Sequence, residues 1–354
     1  MSTDTLPTVS LLLCVHNGAA YLPACLHSIL TQSFTDFELI IIDDASTDDS
    51  PAILCQFTKG TGPLPSQGIL PEYANIGRIP CEGRGPESVR NSSGLVLAAM
   101  NDPKQPKMPK LPRVRLFRNA ENLGLTQSLN RGLGLVEGTY IARLDADDTM
   151  HPNRLQQQVD FLNAHPDYGI VGSFAQQMDA SGKPTSIQKT PVTNAEIQWF
   201  SLLSSPFLHP TVMLRKAVLD AHDLAYDPTF RTTQDYDLWT RMLCVTKGYN
   251  IPLPLTHLRI HTGAISHTKK SAQFTNHQTI ACRTIRERCG VELSPAVIAS
   301  LLEAFHQPRH TLSRQELWSA IRSYLRLYRA FRQHHNAPAV LKTVLLRVVR
   351  AIRP

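Results

Sequence analysis

Residues 139–149 read Thr-Tyr-Ile-Ala-Arg-Leu-Asp-Ala-Asp-Asp-Thr. Tyr140 to Leu144 is a short, mostly apolar run, which predicts a buried strand. It stops abruptly at three carboxylates, Asp145, Asp147 and Asp148. Side chains alternate along extended backbone, so Asp145 and Asp147 leave on the same side. Carboxylates held that close repel unless a cation or a set of donors lies between them. A hard divalent cation suits the arrangement, taking one or two carboxylates and completing its shell with water and phosphate oxygens. The carboxyl end of a strand is also where ligands bind in open α/β sheets. An isolated Asp-x-Asp fits a polar loop before a helix equally well, so the rest of the chain decides.

Val9–Val15 (VSLLLCV) is continuously apolar, the pattern of a strand buried on both faces. His16-Asn17-Gly18 follows as a turn. Tyr21 to Gln32 then carries Leu22, Cys25, Leu26, Ile29 and Leu30 at helical spacing. Phe37–Ile42 (FELIII) is a second buried strand, ending in Asp43-Asp44-Ala45-Ser46-Thr47-Asp48, with a helix starting near Thr47 or Asp48. This β-α-β-α order predicts an α/β fold with a doubly wound, mixed but mainly parallel sheet. Val114–Arg118 is a further strand and Leu125–Val136 a helix. Asn153–Ala164 is a helix with Asn153 as its cap. Ile170–Met178 and Ser186–Gln188 form a hairpin. Glu196–Leu203 is a short helix, Val212–Arg215 a strand after His209-Pro210-Thr211, and Asp235–Thr246 a helix. Pro254–His261 reads as an edge strand because of its prolines.

Residues 59–113 interrupt this order with nine Pro and seven Gly. They are expected to form an irregular insertion, with a short helical piece around Ser88–Met100, and long surface loops of this kind cost little stability. A catalytic unit over 1–268 is therefore expected, followed by a helical region over 269–354.

Hydrophobic residues make up 42% of the 354 and charged residues 18%, enough apolar matter for a sizeable core. The seven cysteines are scattered, odd in number and never spaced C-x-x-C, which argues against a disulfide framework or a zinc site and suggests a reducing, cytoplasmic setting. Met1 to Pro7 lack a basic stretch followed by an apolar one, so no signal peptide is expected. The net charge of +7 is concentrated at one end. Residues 311–354 hold nine Lys/Arg and one acid, Glu316, leaving 27 basic and 28 acidic residues in the first 310. Trp318, Ile321, Leu325 and Tyr328 form an apolar stripe beside Arg322, Arg326, Arg329 and Arg332. Val340/Leu341, Val344/Leu345, Val348/Val349 and Ile352 form another. Basic amphipathic helices of this type predict peripheral attachment to an anionic membrane surface, on the inner face of the cell membrane for a cytoplasmic chain. The alternative is packing on the catalytic unit or a second subunit. A nucleic-acid partner is not expected, because no base-reading motif accompanies the basic tail.

Together these stretches resemble an inverting glycosyltransferase of family 2, with its nucleotide-diphospho-sugar-binding, Rossmann-like GT-A fold. The resemblance covers residues 8 to about 268. Val9 to Gly18 is similar to the family's first strand and nucleotide-facing turn, which implies nucleotide contacts at Val15 and Asn17. Asp43 to Asp48 resembles the Asp-Asp-x-Ser-x-Asp segment, implying that Asp44 recognises uracil; a carboxylate accepts from the ring N–H of uracil or thymine. Asn119 to Gly124 matches the Asn-x-Gly turn, with Asn122 on the nucleotide. Asp145-Ala146-Asp147-Asp148 matches the Asp-x-Asp, implying Asp145 on the ribose and Asp147 on a Mn2+ or Mg2+ ion that holds the diphosphate. Arg259 to Ser266 resembles a later segment, in which His261 lies at the metal and diphosphate. His209 is assigned to the acceptor side. Thr233-Gln234-Asp235-Tyr236-Asp237-Leu238-Trp239 resembles the family's Glu-Asp-x-x-Leu-Trp helix start, whose Asp is the catalytic base. Gln234 replaces the Glu here, and Asp235 is retained, with Asp237 as second choice.

The resemblance thus implies a hexosyltransferase that uses a UDP- or dTDP-sugar. Its acceptor would be a glycan or lipid-linked saccharide of bacterial cell-envelope polysaccharide. Two rival readings stand beside it. Leu144 to Thr149 also resembles the nucleophile motif of haloacid-dehalogenase-type phosphatases, with Asp145 phosphorylated. A non-catalytic scaffold of the same fold is the other.

Overall fold

The computed structural model describes residues 6–59, 112–261, 270–306, 312–335 and 338–352. The helical piece at Ser88–Met100, nearly all of the 59–113 insertion and residues 262–266 of the later segment lie outside the described residues.

Nine strands form one mixed sheet among the described residues. They are β1 (Val9–Val15), β2 (Phe37–Asp43), β3 (Arg113–Arg118), β4 (Tyr140–Asp145), β5 (Thr149–Met150), β6 (Tyr168–Met178), β7 (Pro184–Gln188), β8 (Met213–Arg215) and β9 (Lys247–Arg259). Their order is β3-β2-β1-β4-β8-β6-β9-β5, with β7 on β6. β3, β2, β1 and β4 are mutually parallel, β8 runs antiparallel to β4 and β6, and β9 is parallel to β6. This is the expected doubly wound α/β sheet. The chain winds outward from β1 through β2 to β3 and returns to β4 on the other side of β1. That reversal opens a crevice at the carboxyl ends of β1 and β4, the place where such folds bind ligands.

β1 is buried at all seven positions and β2 likewise, as continuous apolar runs require. One face of the sheet, with Leu11, Leu13, Leu39, Ala142 and Leu144, packs on α1 (Leu22–Leu30) and α4 (Arg154–Ala164). The other, with Leu12, Ile40, Ile42 and Ile141, packs on α3 (Leu125–Leu133) and α7 (Gln234–Met242). Gly132 of α3 lies so close to the sheet that a Cβ there would meet Leu12 Cδ1 at 2.3 Å. α2 (Ser50–Lys59) follows β2, α5 (Asn194–Phe200) opens with a Thr193–Glu196 capping box, and α6 (Lys216–Ala221) follows β8.

Four helices complete the chain: α8 (Lys270–Cys289), α9 (Pro295–His306), α10 (Arg314–His334) and α11 (Pro338–Ile352). Their core of Ile285, Leu301, Tyr324, Leu327, Phe331 and Val344 includes Trp199 and Leu202 from the α5 region. Trp199 Nε1 donates to the Tyr324 hydroxyl at 3.2 Å. The helical region is thus built onto the sheet-bearing part through a shared apolar core.

Several sequence expectations need correction. β9 is not a short edge strand. It runs for 13 residues between β6 and β5, and its prolines sit where its register with β6 shifts, positions that tolerate a missing N–H. His209–Thr211 is a 3-10 turn, so β8 starts only at Met213. Asn153 precedes α4 without a side-chain cap bond.

Candidate active site

The turn after β1 and the segment after β2 are sewn together. Asn17 Oδ1 accepts from Thr47 N at 2.8 Å, Asn17 N donates to Ser46 Oγ at 3.0 Å, and Gly18 N donates to Ser50 Oγ at 2.9 Å. Asn17 and Ala45 adopt left-handed backbone, φ 53° and 54°, to allow this. Val15 is buried and its carbonyl accepts from Asp44 N at 2.8 Å. Val15 and Asn17 therefore shape the crevice floor, and the Asn17 side-chain carbonyl is spent within the loop.

Asp44 is buried and almost saturated. Oδ1 accepts from Asn119 Nδ2 at 2.6 Å and Leu123 N at 2.9 Å, and Oδ2 accepts from Gly124 N at 2.9 Å. A carboxylate has about four acceptor sites. One, on Oδ2, is left for a ligand. Gly124, at φ 84°, supplies the backbone that brings its N–H there. Asn122 belongs to the same turn. Its Nδ2 lies 3.0 Å from His16 Nε2, while His16 Nδ1 donates to the Asp44 carbonyl at 2.8 Å. His16 is exposed over the crevice. Sequence reading passed it over as a turn residue, although a ring directly after a buried strand at its carboxyl end was the signal.

Asp145, Asp147 and Asp148 present ligand atoms within 4.8 Å of one another. Asp145 ends β4 and pairs with Arg143. Burial, with the Asp147 charge added, pushes its carboxyl above the ordinary range against the opposing effect of Arg143. Asp148 is buried and pushed well up by burial and by both neighbouring carboxylates, while Oδ1 accepts from Arg259 N at 2.8 Å. His261 Nε2 lies 2.9 Å from Asp147 Oδ2. Arg259 steadies the turn: Nε donates to the Asp147 carbonyl at 2.9 Å and the guanidinium lies 4.6 Å from the Tyr21 ring centre. Tyr21 also packs on His261 at 5.1 Å. Three converging carboxylates, two of them strained toward protonation by burial and mutual repulsion, beside an imidazole, fit a hard divalent cation. Arg259 and Tyr21 were not singled out from the sequence.

Asp235 lies in the first turn of α7 and is half-buried. Burial raises its carboxyl from 3.8 to about 6, opposed by the Tyr236 and Asp235 N–H groups and by the charge of Arg143. The cap position belongs to Thr233, so capping does not account for Asp235. Thr233 has φ 63°, unusual for a β-branched residue. Asn276 of α8 clamps this bend by donating to the Thr232 carbonyl at 3.2 Å. Asp237 points elsewhere: it is buried and paired with Arg241 and with Arg283 of α8, each at 2.7 Å. His209 Nε2 lies 2.9 Å from the Tyr226 hydroxyl, and burial, with the charge of Arg143, pushes its ring well below the usual imidazole range.

The profile of glycosyl transferase family 2 matches residues 10–68 and 97–233, and the chain belongs to that family. The gap in the match falls inside the Pro/Gly-rich insertion. An uncharacterized glycosyltransferase of Haemophilus influenzae is 24% identical over 314 residues, covering 86% of this chain and 82% of that one. The amylovoran biosynthesis glycosyltransferase AmsE of Erwinia amylovora is 30% identical over 146 residues, covering 41% of this chain and 53% of that one. Among solved structures, S. aureus TarS 1–349 in complex with UDP-GlcNAc superposes with TM-score 0.53 at 16% identity, covering 97% of this chain and 87% of that one. The same TarS fragment in complex with UDP gives TM-score 0.52 at 15% identity, covering 97% and 88%. The fold is that of the GT-A glycosyltransferases, and the chain is a glycosyltransferase. The phosphatase reading of Asp145 falls away with that membership.

Proposed function

We propose that the protein transfers a sugar from a nucleoside-diphospho-sugar to a hydroxyl of a glycan or lipid-linked saccharide, with inversion at the anomeric carbon. The observation that carries this reading is the carboxylate cluster at the end of β4 with His261 beside Asp147. Asp147 and His261 would hold Mn2+ or Mg2+, which when bound offsets the charge on the donor diphosphate and on the leaving nucleotide.

The remaining acceptor site on Asp44 Oδ2 takes the ring N–H of uracil or thymine, and Asp145 receives the ribose hydroxyls. Asn122, with Val15 and Asn17 beneath, holds the nucleotide turn in shape. The acceptor hydroxyl gives its proton to Asp235 and its oxygen bonds to the anomeric carbon. The bond from that carbon to the diphosphate oxygen breaks, its electron pair leaving with the nucleotide. A single displacement inverts the configuration and requires no enzyme carboxylate nucleophile. UDP-sugars are the first donors to test, since TarS is solved with UDP and UDP-GlcNAc. The name of AmsE points toward polysaccharide biosynthesis.

The deciding experiment is a screen of UDP-, dTDP- and GDP-sugars for hydrolysis and transfer, with and without Mn2+, followed by NMR of the product anomer. Turnover of a UDP-sugar to a product of inverted configuration is expected. Absence of binding and turnover for every donor, or a product of retained configuration, overturns the reading.

We also infer that α10 and α11 rest on an anionic bilayer. Arg322, Arg326, Arg329 and Arg332 are exposed along α10 with Trp318, 53% exposed, on the same helix. On α11, Leu341, Leu345 and Val349 follow at helical spacing and stand in solvent beside exposed Lys342. Ile321, Leu325 and Tyr328 of the expected α10 stripe pack in the helical core instead, as do Val340 and Val344 of α11, so Trp318 with the Leu341, Leu345 and Val349 row supplies the exposed apolar surface. Bordered by cations, that surface suits lipid tails and anionic headgroups together. Among the described residues no helix is long and apolar enough to cross a membrane, so the proposed attachment is to its surface, at the inner face for a cytoplasmic enzyme.

A further inference from the structure

Two arginines lie buried under the carboxylate cluster, and they are bonded differently. Arg154 of α4 is fully buried, and all its donor nitrogens but Nη1 are bonded to main chain and amide: Nη2 to the Arg143 carbonyl at 2.7 Å and the Val212 carbonyl at 3.2 Å, Nε to Gln158 Oε1 at 3.1 Å. It ties α4 to the sheet. Arg143 has no such network. It stands two residues before Asp145 on β4, so both side chains leave the strand on one face. That face lies beneath α3 and α7, where its neighbour Ile141 packs with Leu129 and Trp239. The Arg143 side chain is only 3% exposed, and it pairs through Nη1 with Asp145 Oδ1. Its Nε and Nη2 have no hydrogen-bond partner. A buried guanidinium with unfilled donors is costly, so a role in the filled site is the natural account of it.

Its surroundings define that role. Asp145 lies directly above it, opposite Cys14 of β1. Its charge acts on Cys14, on Tyr226 and His209, on Asp148, on Arg154 and on Asp235.

We propose that Arg143 is a positioning residue for the donor side of the site, its guanidinium fixing the Asp145 carboxylate for the ribose; this rests on the reading of Asp145 as the ribose ligand. A lysine keeps the charge but loses the planar fork that grips Asp145, and a methionine loses both.

The test compares Arg143→Met, Arg143→Lys and the wild type by donor KM and kcat. Donor KM rises by about 10-fold or more in both variants, as for losing a hydrogen bond to a charged group, while kcat at saturating donor falls less. A wild-type donor KM in Arg143→Lys or in Arg143→Met overturns the proposal. If Arg143→Met fails to fold, Arg143→Lys decides by donor KM alone. Asp145→Asn separates the two readings: if it keeps the wild-type donor KM, the ribose assignment fails, whereas a raised KM there with wild-type KM in Arg143→Lys overturns the role of Arg143 alone.

Discussion

His261 Nε2 lies 2.9 Å from Asp147 Oδ2, joining the end of β9 to the turn that follows β4. The two residues are far apart in sequence and come from strands that do not pair. Arg259 locks the approach by bonding both to the Asp147 carbonyl and to Asp148. If this pair holds the metal, His261→Ala raises the Mn2+ concentration needed for half-maximal transfer by about 10- to 100-fold, the range for losing a metal-site partner. A Mn2+ titration of activity, with isothermal titration of Mn2+ in the presence of UDP, measures it. An unchanged requirement takes His261 out of the metal site. Chelation of the metal in the wild type should stop transfer.

Asp235 gives a pH signature. Its carboxyl is raised from 3.8 to about 6 by burial, and a general base must be deprotonated to act. Transfer should therefore rise with pH through about 6 and level above it. The sign for stability is the reverse. The folded state holds this proton to higher pH than the unfolded chain does, so folding is favoured below the unfolded value and loses that contribution as pH climbs from 3.8 to about 6. Asp235→Asn, neutral throughout, should abolish transfer, leave UDP binding intact and unfold at higher urea concentration than wild type at pH 7. Near wild-type transfer by this variant removes Asp235 as the base.

The parts of this molecule written in local pattern were readable from sequence. Val9–Val15 and Phe37–Asp43 are apolar without interruption because both faces of those strands are covered, and that pattern has one reading. The Asp145 cluster stood out only together with the Asp43–Asp48 and Thr233–Trp239 segments, because an isolated Asp-x-Asp fits a polar loop equally well. What stayed hidden depends on distant partners. Pro254 argued for an edge strand, yet register shifts against β6 absorb it, and Pro252 beside it, inside the sheet. Arg143, between Ala142 and Leu144, gave no hint of burial, because its partner is a carboxylate on its own strand and its neighbours come from β1 and the region before α7. The clamp of Asn276 on Thr232 spans 44 residues and has no local signature.

Asp237 makes a separate, structural prediction. Its carboxylate is buried and holds Arg241 and Arg283, both partly exposed, at 2.7 Å each. Breaking a buried pair from one side costs about 3–5 kcal/mol. The two guanidiniums here reach solvent, so about 2–3 kcal/mol is the expected loss for Asp237→Ala. Arg283→Met should cost less, because Arg241 continues to pair the carboxylate. Urea unfolding of the two single variants and the double variant measures the coupling. Because Arg283 lies on α8, a loss in Asp237→Ala together with an unaltered Arg283→Met would show that this pair does not fasten the C-terminal helices.

The surface of α10 and α11 makes the last prediction. The wild type should co-sediment with vesicles containing phosphatidylglycerol and much less with neutral phosphatidylcholine. Each cation near an anionic leaflet is worth about 1 kcal/mol. Reversing Arg322, Arg326 and Arg329 to Glu should thus reduce the partition by at least 100-fold, while transfer to a water-soluble acceptor is unchanged. Leu345→Gln with Val349→Gln removes apolar insertion without altering charge, and should lower binding to both vesicle types. The two sets distinguish the outcomes: loss with the charge set alone indicates a purely electrostatic contact, and loss with both indicates a helix seated in the interface. Equal, weak binding of wild type and both variants would mean that these faces meet no bilayer, and dimerisation through them would then show as a larger mass in solution.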